Sequence, residues 1–172
     1  MSSVTIKGSA GRIEGRYYRA FQAQAPIALV LHPHPQHGGT MNTKAVYTLY
    51  HAFVDAGFHV LRFNFRGVGR SDGKFSNGDG ELADAAACLN WLQLQNPDPA
   101  QIWIAGFSFG AWIALQLVMR RPEINRFVAV SPPSCGEYSD YGFLAPCPTS
   151  GLIVQGDRDE VVQPESSIQL AS

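Results

Sequence analysis

The chain has 172 residues, which is enough for one domain with a sizeable core but too few for two. Hydrophobic residues make up 45% of the sequence and charged residues 16%, a balance that excludes a disordered protein. The 13 Lys and Arg nearly cancel the 14 Asp and Glu, so the net charge is −1. This charge provides no basic field for a nucleic acid or an anionic membrane, and we expect the function to depend on a local site.

The cellular context is predicted from the N-terminus and the cysteines. The first residues are polar and lack the charged-then-apolar pattern of a signal peptide, and no apolar run approaches the length of a membrane span. Cys88, Cys135 and Cys147 form no Cys-x-x-Cys pair, which favours free thiols in a reducing compartment. A Cys135–Cys147 bridge is the alternative. The sequence therefore predicts a cytoplasmic protein.

Short β-rich runs alternate with helical stretches along the chain. The runs at 4–6 and 13–21 predict an antiparallel hairpin that turns between Gly8 and Gly11, and the unbroken apolar run at 27–31 predicts a doubly covered strand. Apolar spacing then predicts helices over 44–56, 80–94 and 108–120, a further helix from Pro164, and strands over 58–65, 101–107, 127–130 and 152–154. This alternation indicates one α/β domain over 1–172: a doubly wound, mostly parallel sheet with an N-terminal antiparallel hairpin.

One motif carries chemistry. Gly106-Phe-Ser108-Phe-Gly110 lies between a predicted strand and a predicted helix, in the context that a Gly-x-Ser-x-Gly nucleophile turn requires. Such a turn would project Ser108 Oγ above the carboxyl ends of the strands. There it would face the N-terminus of a helix, where unpaired N–H groups favour negative charge. Ser108 is therefore the candidate nucleophile, and an ordinary strand–helix turn is the alternative.

Three further segments occur in a recognisable order around this motif. They are 31–39 (Leu-His-Pro-His-Pro-Gln-His-Gly-Gly), 63–73 (Phe-Asn-Phe-Arg-Gly-Val-Gly-Arg-Ser-Asp-Gly) and 156–162 (Gly-Asp-Arg-Asp-Glu-Val-Val). With these segments the chain resembles the α/β-hydrolase family over nearly all of its length. It is most similar to small, lidless members of the dienelactone-hydrolase and esterase types, although dienelactone hydrolases carry Cys where this chain has Ser108. The resemblance implies hydrolysis of small carboxylic esters or thioesters through an acyl-enzyme, with no cofactor.

The resemblance also implies an oxyanion hole and an acid. One oxyanion donor is the N–H of Phe109, directly after the nucleophile. The second donor comes from the loop after the strand at 27–31, where prolines leave the N–H of His34 or that of Gln36. The acid is Asp157 or Asp159. The family pattern favours Asp159, with Asp157 bracing the loop, and a plain turn with a helix N-cap is the alternative.

The histidine that should complete the triad is not found at its expected place. In this family the triad order is Ser, acid, His, yet all five histidines precede Ser108. Three explanations compete: a chain shortened before a last strand, His loop and helix; a substitute base, His34 or His37; or a ligand-binding homologue that has lost hydrolysis. We expect the first, and therefore weak or absent activity in the 172-residue chain.

Other ligands and partners follow from the remaining residues. His32, His34 and His37 lie within six residues, but the prolines between them prevent a helix that would align them, so we expect no metal. The loop over 131–150 is short for a lid, and its Tyr138 and Tyr141 are candidates for lining the cleft. The expected partner is a small-molecule ester. If a last strand is missing, the strand at 152–154 is an unpaired apolar edge, which favours self-association.

Overall fold

The computed structural model describes residues 1–172 as seven strands and four helices. The strands are β1 (Ser2–Gly8), β2 (Gly11–Tyr18), β3 (Ile27–Leu31), β4 (His59–Phe63), β5 (Ile102–Phe107), β6 (Arg126–Val130) and β7 (Gly151–Val154). The helices are α1 (Lys44–Asp55), α2 (Asp79–Gln95), α3 (Phe109–Arg120) and α4 (Pro164–Ala171). None of these helices is long and apolar enough to cross a membrane. All three cysteines are free thiols.

All seven strands form one sheet in the order β1-β2-β4-β3-β5-β6-β7. The β1–β2 and β2–β4 pairs are antiparallel, and the other four pairs are parallel. Each residue of β3 and β4 is buried, as expected for strands that helices cover on both faces. The predicted α/β architecture, with a mostly parallel sheet and an N-terminal hairpin, is confirmed.

Two predicted strands are shorter in the structure because side chains and turns take their terminal N–H groups. The strand predicted over 13–21 ends at Tyr18, since Ala20 N–H donates to His59 Nδ1 at 2.9 Å. The strand predicted over 58–65 is His59–Phe63. Phe58 N–H donates back to Phe53 O, so the chain joins the sheet only at His59.

The end of α1 shows how local sequence sets the fold. Gly57 has φ 87°, and its N–H donates to Val54 O while Phe58 N–H donates to Phe53 O. These two bonds are a Schellman motif, and the rings of Phe53 and Phe58 make its apolar contact at a centroid distance of 5.0 Å. The motif turns the chain directly from α1 into β4.

We expect Gly57→Ala to lower the free energy of unfolding by about 1 kcal/mol, the cost of a left-handed backbone at a residue with a Cβ. An added Cβ would meet nothing within 4 Å, so the effect is one of backbone strain alone. Urea denaturation measures it. Gly156→Ala is the matched control, because φ of Gly156 lies outside the left-handed range and its nearest neighbour would be 3.9 Å away. Equal stability of the two variants would contradict the assignment.

The two faces of the sheet are covered unequally. A cluster of 25 buried residues lies on the face that carries α2 and α3, whereas the face that carries α1 has a cluster of eight. Near the carboxyl ends of the strands, the thinly covered face has an open apolar groove of about 590 Å³, lined in part by Leu49, Phe107, Val130 and Val154. Leu152 and Val154 of the edge strand β7 are 57% and 41% exposed.

We propose that the β7 edge mediates self-association of the 172-residue chain. The strand carries no charge or proline that would protect an unpaired edge, and an antiparallel β7–β7 pair satisfies two-fold symmetry. Analytical ultracentrifugation should show concentration-dependent dimers. Leu152→Lys should remove them, whereas Leu94→Lys, which charges an exposed leucine of α2, should not. A wild-type chain that stays monomeric at every concentration would rule the proposal out.

Candidate active site

Ser108 lies in a tight turn that the sheet holds in place. Its backbone has φ 53° and ψ −120°, a left-handed conformation that a non-glycine residue rarely adopts, and its N–H donates to Val130 O at 2.9 Å. A Cβ on Gly106 would lie 2.2 Å from Gly110 O, so the turn closes only with glycine there. The Ser108 side chain does not cap α3. The structure therefore forms the strand–turn–helix that the sequence predicts, with Ser108 at its apex.

The loop after β3 lies directly against this turn. Leu31 pairs with Gly106 in the parallel register of β3 and β5, and a Cβ on Gly110 would lie 2.5 Å from the carbonyl oxygens of Leu31 and His32. Because only a glycine permits this approach, the loop and the first turn of α3 are held in contact. The ring of His34 lies 5.1 Å from the ring of Phe109, measured between centroids.

The two N–H groups predicted to hold an oxyanion are both free. Neither Phe109 N–H, the first of α3, nor His34 N–H makes a hydrogen bond. Gln36 N–H, the alternative donor, is used instead by the imidazole of His34, whose Nδ1 accepts it at 3.1 Å. The geometry thus favours His34 over Gln36, and the role of both donors toward a substrate stays a prediction.

His32 is a fixed component of the same loop. Its imidazole is fully buried, Nδ1 lies 2.7 Å from Pro33 O, and Nε2 accepts Phe65 N–H at 3.0 Å. These partners require a neutral ring with its proton on Nδ1. Burial lowers the pKa of His32 to about 4, with the bond to Pro33 opposing the shift. Sequence reasoning treated His32 only as a possible metal ligand and missed this tie between the loop and the segment after β4.

None of the five histidines is hydrogen-bonded to Ser108 Oγ. His32 and His59 use both ring nitrogens for backbone groups. Since His34 Nδ1 accepts Gln36 N–H, its proton is on Nε2, and in this tautomer the ring is a donor at its free nitrogen rather than a base. His37 is exposed and stacks on His34 with ring centroids 4.2 Å apart, and His51 lies in α1. The structure does not bring His34 or His37 to Ser108 as the predicted substitute base.

Asp159 is the more firmly held of the two candidate acids. Its Oδ1 accepts the N–H groups of Val161 and Val162, both at 2.9 Å, and its Oδ2 accepts Gln155 Nε2 at 3.1 Å. The bond from Val162 N–H is the largest cause that lowers the pKa of Asp159 below its usual value. Asp157 is exposed and makes no side-chain hydrogen bond, so the expectation that it braces the loop is wrong. Asp159 braces the loop itself.

Two residues that sequence reasoning missed support this acid segment. Gln155, at the end of β7, also accepts the hydroxyl of Ser167 at 2.6 Å and so ties the segment to α4. Ser131 follows β6 with φ 46° and donates its N–H to Val154 O at 2.8 Å. Its hydroxyl also contributes to the lowered pKa of Asp159. The positive φ of Ser131 depends on tertiary contacts, so the sequence gives no signal for it.

Aromatic rings form one wall beside the loop after β3, which contains His34. Phe75 and Tyr138 lie 4.8 and 5.4 Å from the ring of His34, and Trp112 lies 5.1 Å from Tyr138. Tyr141 is turned away, with its hydroxyl donating to Pro133 O at 2.9 Å. Of the two tyrosines that were candidates for lining the cleft, only Tyr138 contacts the loop after β3, through His34. No group of three or more His, Cys, Asp or Glu side chains is arranged to hold a metal ion.

Sequence comparison connects this site to known proteins. A model of the alpha/beta hydrolase fold matches residues 36–148, more than half of the chain. An uncharacterized protein of Rickettsia prowazekii, RP471, is 59% identical over 164 residues, which are 94% of this chain and 68% of that protein. The lysophosphatidylserine lipase ABHD12 of Danio rerio is 34% identical over 105 residues. That match covers 60% of this chain, which spans only 26% of the lipase.

Solved structures are similar over the whole chain. An alpha/beta hydrolase of unknown function from Agrobacterium tumefaciens has a TM-score of 0.93 and 52% identity, covering 99% of this chain and 77% of that one. A serine hydrolase without a lid from Xanthomonas campestris has a TM-score of 0.87 and 33% identity, covering 98% and 77%. The expected loss of a last strand and helix from this chain stays a prediction.

The structural role of His32 makes its pH dependence measurable. The folded state lowers the pKa of His32 from 6.5 to about 4, so its contribution to stability is complete above pH 6.5 and is lost as the pH falls toward 4. We expect that loss to be roughly 3 kcal/mol. His32→Gln should flatten this part of the profile in urea denaturation. It should also destabilise the chain by about 1–3 kcal/mol at pH 7, because buried groups lose their partner.

His37→Gln is the control, since the His37 side chain is exposed and makes no hydrogen bond. An unchanged pH profile in His32→Gln would show that His32 is not the group that couples the loop to pH.

Proposed function

Because the chain belongs to the α/β-hydrolase family, we propose that it is a serine hydrolase that cleaves small carboxylic esters or thioesters through an acyl-enzyme on Ser108. Family membership and its hydrolase neighbours support hydrolysis in general. The observation that carries the finer proposal is the strained turn at Ser108, with a free N–H group at Phe109 on the turn and another at His34 on the loop packed against it. Backbone strain at a residue with a reactive hydroxyl is typical of a nucleophile.

The proposed reaction has two steps. Ser108 Oγ attacks the carbonyl carbon, the oxyanion accepts the N–H groups of Phe109 and His34, and the C–O or C–S bond breaks as the alcohol or thiol leaves with a proton. Water then attacks the acyl-enzyme, and the acid leaves with regeneration of Ser108. Asp159 orients the imidazole that moves the proton in both steps. None of the five histidines is hydrogen-bonded to Ser108 in this structure, so none of them supplies that imidazole as they are placed here.

The surroundings of Ser108 support an ester with an apolar acyl group. Phe107 precedes the nucleophile and Val130 accepts its N–H, and both residues line the apolar groove of about 590 Å³ on the α1 side. One relative, from Danio rerio, is a lysophosphatidylserine lipase, which is in keeping with an ester substrate. The short cover over 131–150 favours an open site.

Without an imidazole on Ser108, its hydroxyl stays neutral and is a poor nucleophile. In a serine protease of the same chemistry, losing the base lowers the rate by about 10⁶-fold. We therefore propose that the 172-residue chain is weakly active or inactive. A catalytically silent protein that binds an apolar ligand in the groove is the second candidate, and the absence of a hydrogen bond between Ser108 and any histidine favours it.

Labelling by a fluorophosphonate distinguishes these functions. If Ser108 reacts without a base, the rate should be slow and should rise about tenfold per pH unit from pH 6 to 9, because only the rare alkoxide attacks. Ser108→Ala should abolish labelling, and Ser134→Ala, in the loop over 131–150, should not. Mass spectrometry of the labelled peptide identifies the site.

A plateau in the labelling rate near pH 7 would show that an imidazole acts on Ser108, and His34→Gln and His37→Gln would then identify it. Absence of labelling at every pH, together with binding of an apolar carboxylic acid, would favour the silent ligand-binding protein.

A further inference from the structure

Two strands away from β5, which leads to Ser108, β4 contains a buried arginine without an acidic partner. Arg62 is only 3% exposed, and its Nη1 donates to Met41 O at 2.7 Å and to Asn42 Oδ1 at 2.6 Å. The guanidinium carbon lies 4.9 Å from the ring centre of Tyr50 and 5.3 Å from that of Tyr47. These contacts satisfy Nη1 and pack two aromatic rings against the guanidinium. The other edge of the guanidinium, formed by Nε and Nη2, takes part in none of these hydrogen bonds.

That edge has no oxygen acceptor. Nε is buried and has no hydrogen-bond partner, and Nη2 contacts only the thioether of Met1, with Sδ at 3.9 Å. A thioether is a weak acceptor, and a buried guanidinium N–H without a partner is costly. Met1 is 70% exposed, so the side chain that covers Nη2 is itself largely in solvent and can move away.

Two other arginines show what this edge ordinarily binds. Arg66 directs Nε and Nη2 at Asp84, with Nη2 at 2.8 Å from Oδ1 and Nε at 3.1 Å from Oδ2. Arg12 does the same to Asp72, with Nε at 3.1 Å and Nη2 at 3.2 Å. The Nε–Nη2 edge matches two oxygens of one carboxylate or phosphate. At Arg62 the same edge is buried and meets no carboxylate.

A second arginine adds positive charge at the same place. Arg16 of β2 is directly opposite Arg62 in the antiparallel register, so both side chains project from the same face of the sheet. Burial, and secondarily the charge of Arg16, lower the pKa of Arg62. Glu14 lies on the same face of β2, but its Oε2 is already bound by Asn64 Nδ2 and Arg70 N–H. The charge of Glu14 still acts on Arg16, so of the two cations only Arg62 lacks an acidic partner.

A polar group of α1 adds a further donor. The hydroxyl of Tyr50, whose ring packs against the guanidinium, is buried and unpaired. Tyr47 is 47% exposed and also packs against the Arg62 guanidinium, so it connects the buried arginine with the surface. Donors in more than one plane suit the tetrahedral oxygens of a phosphate group better than a flat carboxylate.

We propose that Arg62 and Arg16 form a binding site for a phosphate group, which displaces the Met1 side chain and accepts from Nε and Nη2 of Arg62. The site lies between β2, β4 and α1, apart from the Ser108 turn, and does not depend on hydrolase activity.

Isothermal titration calorimetry and thermal unfolding test the site, with inorganic phosphate and glycerol 3-phosphate as probes. Ionic strength is held constant with sodium chloride, since screening alone changes apparent anion binding. Wild-type protein should bind a probe with 1:1 stoichiometry and unfold at a higher temperature than in chloride. The tighter of the two probes identifies free phosphate or a phosphomonoester as the source.

Arg62→Lys keeps the charge but loses the two-nitrogen edge, and it should weaken binding at least tenfold. Arg16→Gln should do the same without disturbing the buried residue, which keeps the test valid if Arg62→Lys folds poorly. Arg126→Gln makes the same charge change at an exposed residue at the start of β6 and should bind like wild type. No 1:1 binding by wild type, or equal binding by Arg16→Gln and Arg126→Gln, would overturn the proposal.

Discussion

The contact between the start of α3 and the end of β3 is the constraint on which the candidate site depends. Gly110 approaches the carbonyl oxygens of Leu31 and His32 so closely that a Cβ would lie 2.5 Å from them. This approach follows from the parallel pairing of β3 with β5, in which Leu31 is opposite Gly106. Any larger residue at 110 would separate the loop after β3 from the turn at Ser108. The free N–H groups of His34 and Phe109 would then no longer share one site.

Strain at the turn is balanced by the sheet around it. Ser108 and Ser131 both have positive φ, and both follow central or near-edge strands whose neighbours accept their N–H groups. Ser108 N–H donates to Val130 O, and Ser131 N–H donates to Val154 O. The two turns therefore continue the ladder by one bond each beyond β5 and β6. A strained residue persists only where such contacts over-determine it, and the sheet supplies them to both serines at the carboxyl ends of its parallel strands.

Local patterns were sufficient to predict much of this molecule. Apolar runs predicted β3 and β5 to within a residue, and Gly57 predicted the end of α1, because burial and backbone conformation act within a few residues. The motif at 106–110 likewise predicted the turn. The sequence could not show that His32 binds Phe65, that Asp159 rather than Asp157 holds its loop, or that Arg62 lacks an acid. The first and last of these facts depend on partners far along the chain, and that of Asp159 depends on how its own short loop is folded.

The hydrogen bond from Gln36 N–H to His34 Nδ1 determines which groups of this loop can donate a hydrogen bond and which can accept a proton. It removes the Gln36 N–H from competition and leaves the N–H of His34 as the free donor beside Phe109. The same bond fixes the His34 proton on Nε2, so the imidazole cannot accept a proton from Ser108 without first releasing Gln36. As the loop lies here, His34 offers a backbone donor but not a base. An imidazole that activates Ser108 therefore has to come from outside this loop, and the open groove between α1 and the strand ends at Phe107 and Val130 leaves room for it.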